Sequence, residues 1–221
     1  MSDGSPSETE DLLARWHAGD QTALDRLLER DLSWIESRVR RRLGPLLREK
    51  LETADVVQET VVEFLRYSPR FLVTDRGEFR ALLARIAENA IRAGHDRFTA
   101  DRRSIRRERS LDAATERPLS LAAGTANSPS RVAERSEERA RLAVALELLG
   151  AADREILLAR EWHGESFARI AQDLGILENA ARMRYERAMG RLAGRMRGLE
   201  SGKLAELLEE ADRVEDGPEV E

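Results

Sequence analysis

Six prolines punctuate 221 residues, and their placement limits the fold more than any other feature. A proline lacks the amide proton that a helix interior needs and clashes with the preceding turn. Pro6 and Pro218 lie in the tails, and Pro45 and Pro69 fall at expected helix ends in the first half. Pro118 and Pro129 bracket the stretch ERPLSLAAGTANSPS, which is small, polar and without sustained periodicity. From 133 to 217 there is no proline. Two helical halves separated by a linker at 108–132 are expected. The composition agrees, because 36% charged and only 5% aromatic residues, with abundant Ala, Leu, Glu and Arg, favour helix over sheet. The expected fold is all-α, with two helical domains joined by a flexible linker.

Several function classes drop out. With no cysteine, disulfides, thiolate metal sites and a cysteine nucleophile are excluded. The 3 histidines are scattered, and no glycine-rich phosphate loop, helical histidine pair or serine-histidine-acid arrangement occurs. Trp162 and His163, before Gly164, read as core packing and a turn. No catalytic residue, cofactor or metal is expected, so the chain is not expected to be an enzyme. The N-terminus is acidic where a signal peptide is basic, and no apolar run reaches the length of a spanning helix. A cytoplasmic protein without membrane insertion is expected.

The net charge of -5 hides a segregation. Residues 1–31 hold eight acids and three bases, and residues 200–221 hold nine acids and two bases, so the stretch between carries +7. A basic folded middle suits a nucleic-acid partner.

Apolar residues recur at helical spacing in four segments of the first half: Leu12, Leu13 and Trp16; Leu24, Leu27, Leu28, Leu32, Ile35 and Val39; Val57, Val61, Phe64 and Leu65; Phe79, Leu82, Leu83, Ile86 and Ala90. Each stripe, with Trp16 and Trp34, reads as core. On the third helix Asp55, Glu59 and Glu63 stack at i, i+4 and i+8 with Gln58 beside them. Like charges in one row destabilise an isolated helix; such a ridge suits a basic partner surface, and a solvated face explains it equally well.

In the second half, Leu146, Leu148, Leu149, Ile156, Leu157 and Leu158 form a helical pair broken at Gly150, with Asp153 and Glu155 opening the second helix. The stretch SFARIAQDLGILENAARMRYERAMGRL (166–192) reads as a helix-turn-helix. Ser166 is its N-cap, Phe167, Ile170 and Leu174 its inner face, Ala171 a close crossing and Gly175 the left-handed turn. At about 100° per residue, Ala181, Tyr185, Ala188 and Leu192 share an arc of roughly 60°. Arg182 and Arg187 then point away from the core, with Arg184 and Arg191 flanking it, as a helix entering the major groove requires.

The order AGDQTALDRLLER (18–30), ADVVQETVVEFLR (54–66) and GEFRALLARIAEN (77–89) resembles region 2 of bacterial RNA polymerase sigma factors of the sigma-70 family, extracytoplasmic-function (ECF) group. The helix-turn-helix resembles region 4 of the same family. The resemblance spans about 12–197 and implies a tail at 1–10, a region 2 bundle at 11–107, the linker at 108–132, a region 4 domain at 133–197 and an acidic extension at 198–221.

It implies further that Asp55, Gln58, Glu59 and Glu63 dock on the clamp helices of the polymerase largest subunit. Arg70, Phe71, Arg76, Arg85, Asn89, Arg92, His95 and Arg97 would then capture the opened minus-10 strand. Arg80 lies in the same segment, and the arginine-rich run at 97–109 would follow the phosphates. Asn179, Arg182, Arg184, Arg187 and Arg191 would read minus-35 duplex, with region 4 seated on the flap of the second-largest subunit. The implied partners are core RNA polymerase, promoter DNA and, as is common in the family, an anti-sigma factor. Three positions depart from the pattern: Leu82 for Trp, Ala93 for Asp, and Leu177 for the Ser or Thr that caps the recognition helix.

Two other readings stay open. One is a helix-turn-helix regulator acting without core polymerase; the other is a sigma-like interaction protein that has lost promoter opening. In the extension, Leu204, Leu207 and Leu208 would form a short acidic helix. It would either fold back on the basic recognition surface or serve as a solubilising tail.

Overall fold

A computed structural model describes the backbone of residues 6–43, 51–67, 69–104 and 129–216, and side chains over 8–43, 51–67, 69–95 and 134–213. Among the described residues the secondary structure is helical, without strands. The chain forms two compact units, residues 1–71 with 75–140 and residues 72–74 with 141–221.

The first unit contains α1 (Pro6–His17), α2 (Gln21–Arg42), α3 (Thr53–Tyr67) and α4 (Arg76–Ser104). Helix α1 packs on α2, α2 on α3 and α4, and α3 on α4. Asp20 starts α2: its carboxylate accepts from the Thr22 backbone N–H at 2.9 Å and from the Thr22 hydroxyl at 2.7 Å. Trp16, Phe64 and Phe79, all fully buried, meet at ring separations of 5.1 to 6.2 Å. Phe79 meets both other rings edge-on while Trp16 and Phe64 are tilted, and together these contacts pin three helices to one centre.

Three side chains depart from the expected stripes. Leu32 is exposed, and Asp31 beside it is buried in its place. The Asp31 carboxylate accepts from Arg76 at 2.9 Å and Arg80 at 2.6 Å, which is how a buried charge becomes tolerable. Trp34 is half-buried rather than core, with the Arg80 guanidinium 5.0 Å above its ring. On α3 the inner row is Val56, Val57, Thr60 and Phe64, whereas Leu65 faces out. Thr60 fits inside because its hydroxyl donates to the Val56 carbonyl at 2.7 Å. A second buried carboxylate, Glu88 on α4, takes Arg38 at 2.9 Å and Arg42 at 3.2 Å.

Helix α5 (Pro129–Glu147) leads into the second unit, which holds α6 (Ala151–Leu157), α7 (Phe167–Leu174), α8 (Glu178–Glu200) and α9 (Leu204–Asp216). Gly150 breaks the chain between α5 and α6 as its spacing predicts. After α6 the helix widens into one π turn, Leu158–Trp162. The core is Leu146, Leu149, Ile156, Leu157, Ile170, Ala171, Ala181 and Ala188, with Trp162, Tyr185 and Leu192 packed against it. Alanines at 171 and 181 let α7 and α8 approach closely.

Helix α8 ends at a left-handed glycine, Gly202 (φ 71°). Lys203 N–H donates to the Gly198 carbonyl at 3.0 Å and Gly202 N–H to the Leu199 carbonyl at 3.1 Å, the paired bonds of a Schellman turn. The chain reverses into α9, whose Leu204, Leu207, Leu208 and Ala211 are buried. Leu207 lies against Gly198, and Glu210 pairs with Arg195. Successive partners run in opposite directions along the two helices, so α9 lies antiparallel along the C-terminal half of α8. It is thus a packed helix placed away from residues 178–187.

Candidate functional site

Helix α3 turns a mixed face to solvent. Asp55, Gln58 and Glu59 are exposed, and Glu63 is half-buried and bonded to Arg66 at 2.6 Å. Among them stand two apolar side chains, Val62 (44% exposed) and Leu65 (43%). Exposed aliphatics beside an acidic row make a mixed apolar and charged face of the kind a contact surface can use. Sequence reasoning placed Leu65 inside and gave Val62 no part; both belong to this face.

The minus-10 candidates are not one surface. Arg70 and His95 are exposed, Phe71 and Arg92 half-buried. Arg76 is committed to Asp31. Arg85 is 1% exposed and Asn89 is 4% exposed, and the Asn89 carbonyl accepts from Arg92 at 3.2 Å. Arg76, Arg85 and Asn89 are therefore tied into the bundle in this state, not displayed on it. Arg97 and the rest of the 97–109 run fall outside the described side chains.

The helix-turn-helix is built as its sequence indicates. The Ser166 hydroxyl accepts from Arg169 N–H at 3.2 Å to start α7. Gly175 takes the left-handed conformation (φ 67°) that turns the chain towards α8. At the start of α8, Leu177 offers no capping bond and is 79% exposed. Asn179, Arg182, Arg187 and Arg191 are exposed along α8, and Arg184 is half-buried. Arg182 bonds to Glu178 at 2.6 Å, Arg187 donates to the Met183 carbonyl, and Arg191 reaches across to Asp153 on α6. Tyr185 donates to Glu161 at 2.7 Å; that bond, with burial, holds its phenol above the usual range.

Among the described residues, no helix is long and apolar enough to cross a membrane, and no histidine and carboxylate group is arranged for a metal.

The family described as Sigma-70, region 4 matches residues 139–192. Proteins named ECF RNA polymerase sigma factor SigD, from Mycobacterium bovis and Mycobacterium tuberculosis, are 33% identical over 178 residues, covering 79% of this chain and 77% of theirs. The chain is an ECF sigma factor of the sigma-70 family. Its members act in transcription initiation, and sigma factors are not enzymes. The region 4 match runs from within α5 to most of α8 and stops short of α9. In this ECF chain the three departures have different surroundings. Leu82 is fully buried, Ala93 is half-buried on α4, and only Leu177 is open to solvent.

One cation of the second unit escaped sequence reasoning. Arg160, inside the π turn, lies with its guanidinium 4.6 Å over the Phe167 ring. No periodicity finds it, because the π turn shifts the register there.

Proposed function

We propose that this sigma factor binds the clamp helices of the polymerase largest subunit through the outer face of α3. Asp55, Gln58, Glu59 and Glu63 are the polar contacts, with Val62 and Leu65 at the C-terminal end of the same face. Region 2 would occupy 11–107 and region 4 133–197, joined by the linker at 108–132. Arg70, Phe71, Arg92, His95 and Arg97 then take the opened minus-10 strand. Asn179, Arg182, Arg184, Arg187 and Arg191 read minus-35 duplex, with region 4 on the flap. An anti-sigma factor is the expected regulator.

The observation that carries this reading is the α3 face: an acidic row with two solvent-exposed aliphatics at its C-terminal end. Asp55→Lys with Glu59→Lys should abolish co-elution with bacterial core RNA polymerase while leaving the helical content unchanged. Co-elution as strong as that of the parent would overturn the assignment and favour a free-standing regulator.

A second reading has one observation behind it. Because Arg76, Arg85 and Asn89 are engaged within the bundle, a factor that binds polymerase but does not open DNA is favoured at those three positions. Run-off transcription across a promoter library separates the two: promoter-specific transcripts support the first, and a stable complex without transcripts supports the second.

A further inference from the structure

Helix α9 is set against one side of α8, and that side carries a row of arginines. The contacts fix the register: Leu207 lies against Gly198 and Glu210 pairs with Arg195. Asp216, the last residue of α9, is six positions past Glu210 and so stands level with Met189, six positions before Arg195. The side is fixed as well. At about 100° per residue, Arg184, Arg187, Arg191, Arg195 and Gly198 share an arc of roughly 80° on α8. The line that α9 follows therefore runs on, past its own end, over the rest of the row.

Those arginines differ in what they face. Arg195 has Glu210, and Arg191 has Asp153. Among the described residues Arg184 faces no carboxylate, and the exposed Arg187 donates only to the Met183 carbonyl. Arg197 faces none either, but it stands about 80° outside the arc. After Arg213 the chain reads VEDGPEVE, with four acids and no base. Residues 217–221 lie outside the described ones, and five residues can span up to about 16 Å. Arg187 and Arg184 lie only about 3 and 8 Å beyond the level of Asp216, at 1.5 Å per residue. Reach, direction and sign of charge agree.

We propose that residues 217–221 fold back along α8 in the free factor and lay Glu219 and Glu221 over Arg187 and Arg184, with Glu215 and Asp216 adding negative charge at the end of α9. The segment is an intramolecular stand-in for DNA phosphate, and it lowers the affinity of the free chain for any duplex. The cover rests on the proposed duplex reading by α8. Exposed ion pairs are individually weak, while tethering raises the effective concentration of the acids at the row. Together these give a cover that the denser charge of a duplex displaces. Helix α9 is not itself the cover: its docking on Gly198 aims the segment.

The test is the affinity of the full chain for a random-sequence DNA duplex across a salt series, without polymerase. A tail-neutral variant carries Glu215→Gln, Asp216→Asn, Glu219→Gln and Glu221→Gln together and keeps the length of the chain. In it DNA displaces counterions from two arginines, where in the parent it displaces carboxylates. Its slope of log affinity against log salt should be steeper by about 0.9 per arginine, about 1.8 in all. Its advantage over the parent should then grow about 12-fold between roughly 200 and 50 mM salt. In an Arg184→Gln, Arg187→Gln background the same four changes should leave affinity and slope unchanged. An equal gain in that background would mean diffuse repulsion of DNA by the tail and would overturn the cover. No gain in either background, with the arginine changes still weakening the parent, would overturn the cover and leave the α8 reading intact. Arginine changes without effect in both the parent and the tail-neutral chain would overturn both.

Discussion

Asp31 stands where the helical stripe asks for an apolar residue, and its two guanidinium partners lie 45 and 49 positions away. A buried carboxylate deprived of its cations, or cations deprived of it, costs about 3 to 5 kcal/mol. Asp31→Ala should therefore lower unfolding free energy by roughly 3 kcal/mol in urea titration. Asp20 behaves differently, because it is at the surface. The Thr22 hydroxyl and Arg15 hold its carboxyl down at about 2, below the usual carboxylate range. A carboxyl depressed in the folded state stabilises above its unfolded value and ceases to do so as pH falls through the folded one. Acidification from about pH 4 to pH 2 should thus melt the parent more steeply than Asp20→Asn, as followed by circular dichroism.

These residues mark what could be read in advance. Ser166, Gly175 and the uncapped Leu177 act within one turn of themselves, so local sequence states their roles. The exchange of Leu32 for Asp31 depends on arginines from a distant helix, and nothing near residue 31 announces them. The same holds for Arg85 and Asn89, whose engagement inside α4's bundle follows from packing, not from residue type. Arg160 was hidden for another reason: a π turn breaks the period on which the reading depends.

At the level of elements, α8 carries two contrasting glycines. Nothing lies within 4 Å of a Cβ built on Gly194, whereas one on Gly198 would meet Leu207 at 2.9 Å. Gly-to-Ala inside a helix ordinarily gains about 0.5 to 1 kcal/mol. Gly194→Ala should raise the melting temperature, and Gly198→Ala should lower it or leave it unchanged by prising α9 from α8. The open start of α8 offers a further gain: Leu177→Ser should stabilise by about 1 kcal/mol, measurable by thermal denaturation of the full chain. The four stripes of the first half and the helix-turn-helix were apparent from spacing because each buries one continuous face. That α9 would pack as an antiparallel partner was less apparent, since its three leucines fit a tail helix equally well until Gly198 is seen to receive Leu207.

At the scale of the molecule, the described residues form one hydrophobic centre around Trp16, Phe64 and Phe79 and another around Leu149, Ile156 and Ala181. Separate cores need not melt together. Calorimetry should show two transitions, and Ile156→Ala, a fully buried site worth about 2 to 5 kcal/mol, should move one of them and leave the other in place. A single transition displaced as a unit would mean that the cores are coupled. The all-helical, two-part plan was visible from the prolines and the charge segregation, whereas the surface of α3 needed coordinates to show which aliphatics face outward. Divided cores also partition mutational risk. A lineage can rework the exposed side chains of α8, the proposed minus-35 reader, without unpacking the rings of Trp16, Phe64 and Phe79.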